Sequence, residues 1–70
     1  MTPEEARARI LRRNAECPGE TLHVSAARAA YLDGLDAQDR EGGVGGPLTA
    51  SVLSAYGFAW EALADTLGVE

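Results

Sequence analysis

Lysine is absent from this sequence: all six basic residues are arginine, set against eleven acids for a net charge of −5. Cysteine occurs once, at Cys17, so no internal disulfide can staple the chain. A lone thiol fits a reducing compartment, and a cytoplasmic location is the expectation. Histidine also occurs once, at His23. Together with Cys17 it falls short of the three or four ligands that zinc requires. No apolar run approaches the ~20 residues of a membrane span, and the opening Met1-Thr2-Pro3-Glu4-Glu5 is unlike a signal peptide.

Large apolar side chains are scarce as well. Hydrophobic residues make up 46% of the chain, but thirteen of them are alanine, and Leu, Ile, Val and Phe together number only fourteen of seventy. That fraction lies at the edge below which charged chains stay disordered. Seventy residues allow a single domain, residues 1–70, of a size that buries only about 60% of its unfolded surface. The core must be small, and any partner or second copy that covers more apolar surface would stabilise it.

The charge is unevenly spread. Residues 1–15 carry a net +2 through Arg7, Arg9, Arg12 and Arg13, and the remainder carries −7. An acidic chain is a poor ligand for phosphate backbones but suits a basic protein surface. Abundant Ala, Gly and Arg without Lys match the codon bias of a GC-rich genome, bacterial or of a phage.

The local signals are helical. Thr2 as N-cap, Pro3 in the first turn and Glu5 closing a capping box start a helix that runs to about Ala15, ended by Pro18-Gly19. Ile10 and Leu11 form its narrow apolar stripe, flanked by Ala8 and Ala15. Residues 16–24 read as a loop pinned to the core by Leu22 and Val24. Ser25 is the expected N-cap of a second helix reaching Leu35 or Arg40, with Gly34 as a candidate stop. One face of it carries Ala27, Tyr31, Leu32 and Leu35; the other carries Ala26, Ala29, Ala30 and Ala37, where a neighbouring helix can approach closely. Gly42-Gly43-Val44-Gly45-Gly46-Pro47 is a flexible connector. It lets a third helix fold back or swing into a neighbouring subunit. That helix begins near Pro47 or Thr49 and runs to about Leu67, with Leu48, Val52, Leu53, Tyr56, Trp60, Leu63 and Leu67 on one side. Gly68 and Val69 supply a C-cap. The expected fold is all-α, a small three-helix bundle or open helical array with the third helix longest.

Candidate sites are few. On the helical wheel Phe58 falls opposite the large apolar stripe, among Ser54, Glu61 and Asp65, where an aromatic is a candidate partner contact. Should Gly57 break the helix, the phase resets and Phe58 enters the core; both readings stay open. Arg9, Arg12 and Arg13 share a face that could grip a phosphate or an acidic partner, although such runs are usually solvated. Asp33, Asp36, Asp39 and Glu41 lack the alternation, glycine and terminal glutamate of a calcium loop and read as a solvated helix end able to meet a basic surface. Cys17 and His23 lack the orienting group of a catalytic pair, and the glycine connector lacks the Lys-Ser/Thr of a phosphate loop.

The tract Ala62-Leu63-Ala64-Asp65-Thr66-Leu67-Gly68-Val69 resembles the first helix and turn of a bacterial helix-turn-helix motif. The resemblance implies DNA binding through a recognition helix in the major groove. No such helix follows within the seventy residues, and the tract has no Arg or Lys, so it reads as an ordinary helix end.

The functional expectation is a non-enzymatic protein-interaction module: a small acidic regulator, adaptor or inhibitor, of the size of a phage or mobile-element accessory protein acting on a host factor. No cofactor or metal is expected. The alternatives are a nucleic-acid-related role, through the arginine face or by acidic mimicry, and a subunit of a homo-oligomer. An enzyme is the least favoured class, since three short helices rarely enclose a pocket.

Overall fold

A computed structural model describes residues 1–67. Three helices follow one another, α1 (Pro3–Glu16), α2 (Leu22–Arg40) and α3 (Pro47–Leu67). Each packs against both others in an all-α bundle measuring 37 × 22 × 17 Å. α3 is the longest at 21 residues. No helix among the described residues is long and apolar enough to cross a membrane.

α1 begins on the anticipated capping box. The Glu5 amide donates to Thr2 Oγ1 at 3.2 Å, and the Thr2 amide donates to Glu5 Oε1 at 3.3 Å. It ends at Cys17, whose N–H reaches the Arg13 carbonyl at 2.9 Å.

α2 begins a turn earlier than its sequence suggests. Thr21, not Ser25, is the N-cap, its hydroxyl accepting from the Val24 amide at 3.2 Å. Residues 22–24 are therefore helical rather than loop. Ser25 is fully buried inside the helix, where its hydroxyl donates to Glu20 Oε1 at 3.0 Å and accepts from Asn14 at 3.2 Å. Both residues are competent caps, and this buried network decides between them, because Ser25 cannot both cap the helix and serve Glu20. Gly34 does not stop α2. It lies buried in mid-helix, and the helix runs on to Arg40.

Among the described residues, ten apolar side chains form the core, and six of them are alanine: Ala6, Ala26, Ala29, Ala37, Ala55 and Ala59, with Ile10, Val52, Tyr56 and Leu63. Short side chains at the contacts allow close interaxial approach, which is how a chain poor in large aliphatics closes a bundle. Consequently α2 turns its alanine face inward and leaves Tyr31, Leu32 and Leu35 exposed. Leu11, Leu48 and Leu53 also stay partly exposed, so the buried stripe of α3 is centred on Val52, Ala55, Tyr56, Ala59 and Leu63. Ala8 and Ala15 are exposed too. The proposed cap at Gly68 and Val69, and the end of the tract that resembles a helix-turn-helix, lie outside the described residues.

Three carboxylates tie the helices together. Glu20 receives Arg13 through two bonds of 3.0 and 2.9 Å and Arg28 at 2.6 Å. Asp33 receives Arg9 and the Tyr56 hydroxyl. Glu41, the C-cap of α2, accepts from the amides of Leu48 and Thr49 at 2.6 and 3.0 Å and from the Thr49 hydroxyl at 2.6 Å. α3 has no acid in its own first turn, so Glu41 supplies the negative charge favoured at a helix N-terminus. Gly42 and Gly43 turn the connector with φ of 85° and 89°, the left-handed region that suits glycine.

Candidate protein-binding surface

α3 runs through Gly57 without a break. The helical phase therefore carries through, and Phe58 points outward with 62% of its surface exposed. Ser54, Phe58, Glu61 and Asp65 lie three or four residues apart and form one ridge on the solvent side of the helix. Two open hollows adjoin Phe58 and Glu61. One, of about 240 Å³, is completed by Ser54 and Gly57; the other, of about 580 Å³, by Trp60, Ala62, Ala64 and Asp65. No basic residue occurs in α3, and no ion pair among the described residues engages Glu61 or Asp65. The ridge thus combines an exposed aromatic with uncompensated negative charge.

Beyond Gly57 lies a groove between α2 and α3 of about 200 Å³, lined by His23, Ala27, Ala30, Leu53, Gly57 and Trp60. His23 belongs to α2 rather than to a loop, and its ring stacks on Trp60 with centroids 5.1 Å apart and planes inclined by 22°. Cys17 is the C-cap of α1.

The arginine face is largely engaged within the fold. Arg9 donates to Asp33 at 3.1 and 3.2 Å, and Arg13 forks onto Glu20. Arg12 lines a small hollow between α1 and α2 with Cys17, Leu32 and Tyr56. The acidic run is likewise divided: Asp33 joins Arg9 and Tyr56, Asp36 pairs with Arg40 at 3.3 Å, and Glu41 caps α3. Only Asp39 of that run has no side-chain partner among the described residues. No cluster of three or more His, Cys, Asp or Glu suited to a metal occurs among the described residues.

The electrostatics follow these contacts. Arg13, then Ser25 and Arg28, draw the Glu20 carboxyl down to about 2 against the opposing effect of burial. The Thr49 hydroxyl, helped by the Leu48 and Thr49 amides, lowers that of Glu41. Burial first, and then the bond to Asp33, raises the Tyr56 phenol above its ordinary range. Sequence reasoning passed over Glu20 altogether, since an isolated glutamate in a loop gives no local signal. The Arg13 and Arg28 positions that flank it in space are 7 and 8 residues away in sequence.

No protein-family model matches the chain, and comparison with curated proteins and with solved structures finds no significant match. The functional reading rests on the surface itself.

Proposed function

We propose that this chain is a non-enzymatic protein-interaction module, a small regulator, adaptor or inhibitor that binds through the outward ridge of α3. One observation carries the reading: Phe58, the only phenylalanine, is 62% exposed on an unbroken helix. It contributes nothing to the core, while a large aromatic is the residue type that anchors interfaces. Glu61 and Asp65 beside it specify the partner's chemistry: an apolar recess rimmed by Arg or Lys, steered in by the −7 carried by residues 16–70.

The test is affinity capture from lysate with the wild-type chain and with Phe58→Ser, alongside thermal denaturation of both. The expected result is a partner that the wild type retains and Phe58→Ser loses by roughly 30-fold in affinity or more, at nearly unchanged melting temperature. Equal recovery by both proteins, or recovery of no specific partner, overturns the reading.

A further inference from the structure

The groove beside the ridge has a regular construction. His23 stacks on Trp60, and Leu53 Cδ2 lies 3.2 Å from where a Cβ on Gly34 would stand. Early residues of α2 thus face late residues of α3, so the two helices run antiparallel. His23, Ala27 and Ala30 on α2, and Leu53, Gly57 and Trp60 on α3, recur at steps of four and three residues. Each set therefore lines one face of its helix. The His23–Trp60 stack closes one end, and Ala30 and Leu53 stand at the other. Midway on each helix lie Ala27 and Gly57, both small and both exposed. A Cβ on Gly57 would meet nothing within 4 Å, so the middle of the groove is open. Its volume of about 200 Å³ falls short of the ~300 Å³ at which pockets for small molecules begin. A hole between two packed helices is instead the kind of site that a side chain of a third helix enters.

We infer that this groove receives a large aliphatic side chain from a helix of the protein partner, and that the flank of this helix lying over α3 carries Arg or Lys. Charge decides the flank. Gly57 lines both the groove and the hollow shared by Ser54, Phe58 and Glu61, so a helix seated in the groove passes beside Glu61. Asp65 follows one turn on. Neither acid is engaged in an ion pair among the described residues, and α3 contains no basic residue. On the opposite bank, the α2 residues of the groove include no acid, and Arg28, next to Ala27, is held by Glu20. Cations are therefore favoured on one bank only, which sets how the incoming helix is turned about its axis. The inference rests on the reading of α3 as the binding helix and adds what enters beside Phe58.

Trp60 is the only tryptophan and forms one wall of the groove, so its emission reports occupancy. The probe is a tryptophan-free amphipathic helical peptide of Leu and Lys, with its Leu and Glu counterpart as control. The Leu/Lys peptide should shift Trp60 emission to shorter wavelength, and the Leu/Glu peptide should leave it unchanged. Gly57→Leu and Ala27→Leu each fill the hole with a good helix former and should weaken binding by about tenfold or more, with helicity by circular dichroism retained. Glu61→Lys, on the solvent side, should weaken it by about tenfold and decides the matter even if a filled groove disturbs the helices. No shift with the Leu/Lys peptide overturns the inference, as do equal shifts with both peptides or binding that survives both filling variants. A wild type that is dimeric by light scattering, and monomeric as Gly57→Leu, would seat a second copy in the groove and overturn it too. Phe58→Ser separates the two readings. If it binds the peptide as the wild type does while Gly57→Leu does not, the groove is supported and the ridge fails; the reverse pattern overturns the groove alone.

Discussion

The hydroxyl of Tyr56 donates to the carboxylate of Asp33, which also receives Arg9, so one side chain of α2 joins α1 and α3. Tyr56→Phe removes one donor and leaves Asp33 its arginine. The expected loss is about 1.5–3 kcal/mol, the range for a hydrogen bond to a charged group. Asp33→Ala should cost more, because the buried phenol is then left without an acceptor. The double variant should lose less than the sum of the two singles. Chemical denaturation of all four proteins measures this, and strict additivity would show that the two groups are not coupled. Because the folded phenol titrates above its ordinary value of 10.0, its contribution is complete below that pH and is lost as the solution becomes more alkaline.

Glu20, whose carboxyl is lowered as that of Glu41 is, should make the fold sensitive to acid. Its folded carboxyl titrates at about 2 against an ordinary 4.5. The stability from this depression is present above 4.5 and disappears as pH falls from there toward 2. Glu20→Gln keeps an acceptor for Arg13 but has no proton to gain. Melting temperature should therefore fall more steeply over that window in the wild type than in the variant. Parallel curves would exclude Glu20 as the responsible group.

Local chemistry explains which parts of this architecture are legible in sequence. The Thr2–Glu5 capping box, Pro3 and the glycine connector act within a few residues, and they set α1 and the start of α3 where their pattern places them. The start of α2 is different in kind. Thr21 and Ser25 are equivalent as local signals, and the choice belongs to Glu20, Asn14, Arg13 and Arg28, which meet only in the folded chain. The facing of α2 is also tertiary. Its wheel has one apolar face of large residues and another of alanines, and close packing among three helices takes the smaller. Phe58 is the opposite case: the wheel places it correctly once the helix is known to continue, but Gly57 hides that continuity.

Gly46 and Glu41 form a tight joint at the entrance to α3. A Cβ on Gly46 would stand 2.8 Å from Glu41 Oε1 and 3.0 Å from its Cδ, so Gly46→Ala expels the carboxylate from its cap. Glu41→Ala removes the same cap directly. Each should cost about 1 kcal/mol, as lost N-caps do. Combining them should cost little more than one alone. A double variant as unstable as the sum would mean that Gly46 matters for some reason other than its neighbour.

Gly57 and Gly34 both sit in helix interiors, yet their surroundings differ. A Cβ on Gly57 would meet nothing within 4 Å, whereas one on Gly34 would stand 3.2 Å from Leu53 Cδ2. Gly57→Ala should therefore gain the full helical preference of alanine, about 1 kcal/mol. Gly34→Ala earns the same preference but must push Leu53 aside by a few tenths of an ångström. Leu53 is half exposed and can yield, so the net gain should be smaller but still positive. Urea denaturation of the two variants ranks them. A loss of stability in Gly57→Ala would mean that α3 needs glycine there, and the continuity that turns Phe58 outward would fail with it.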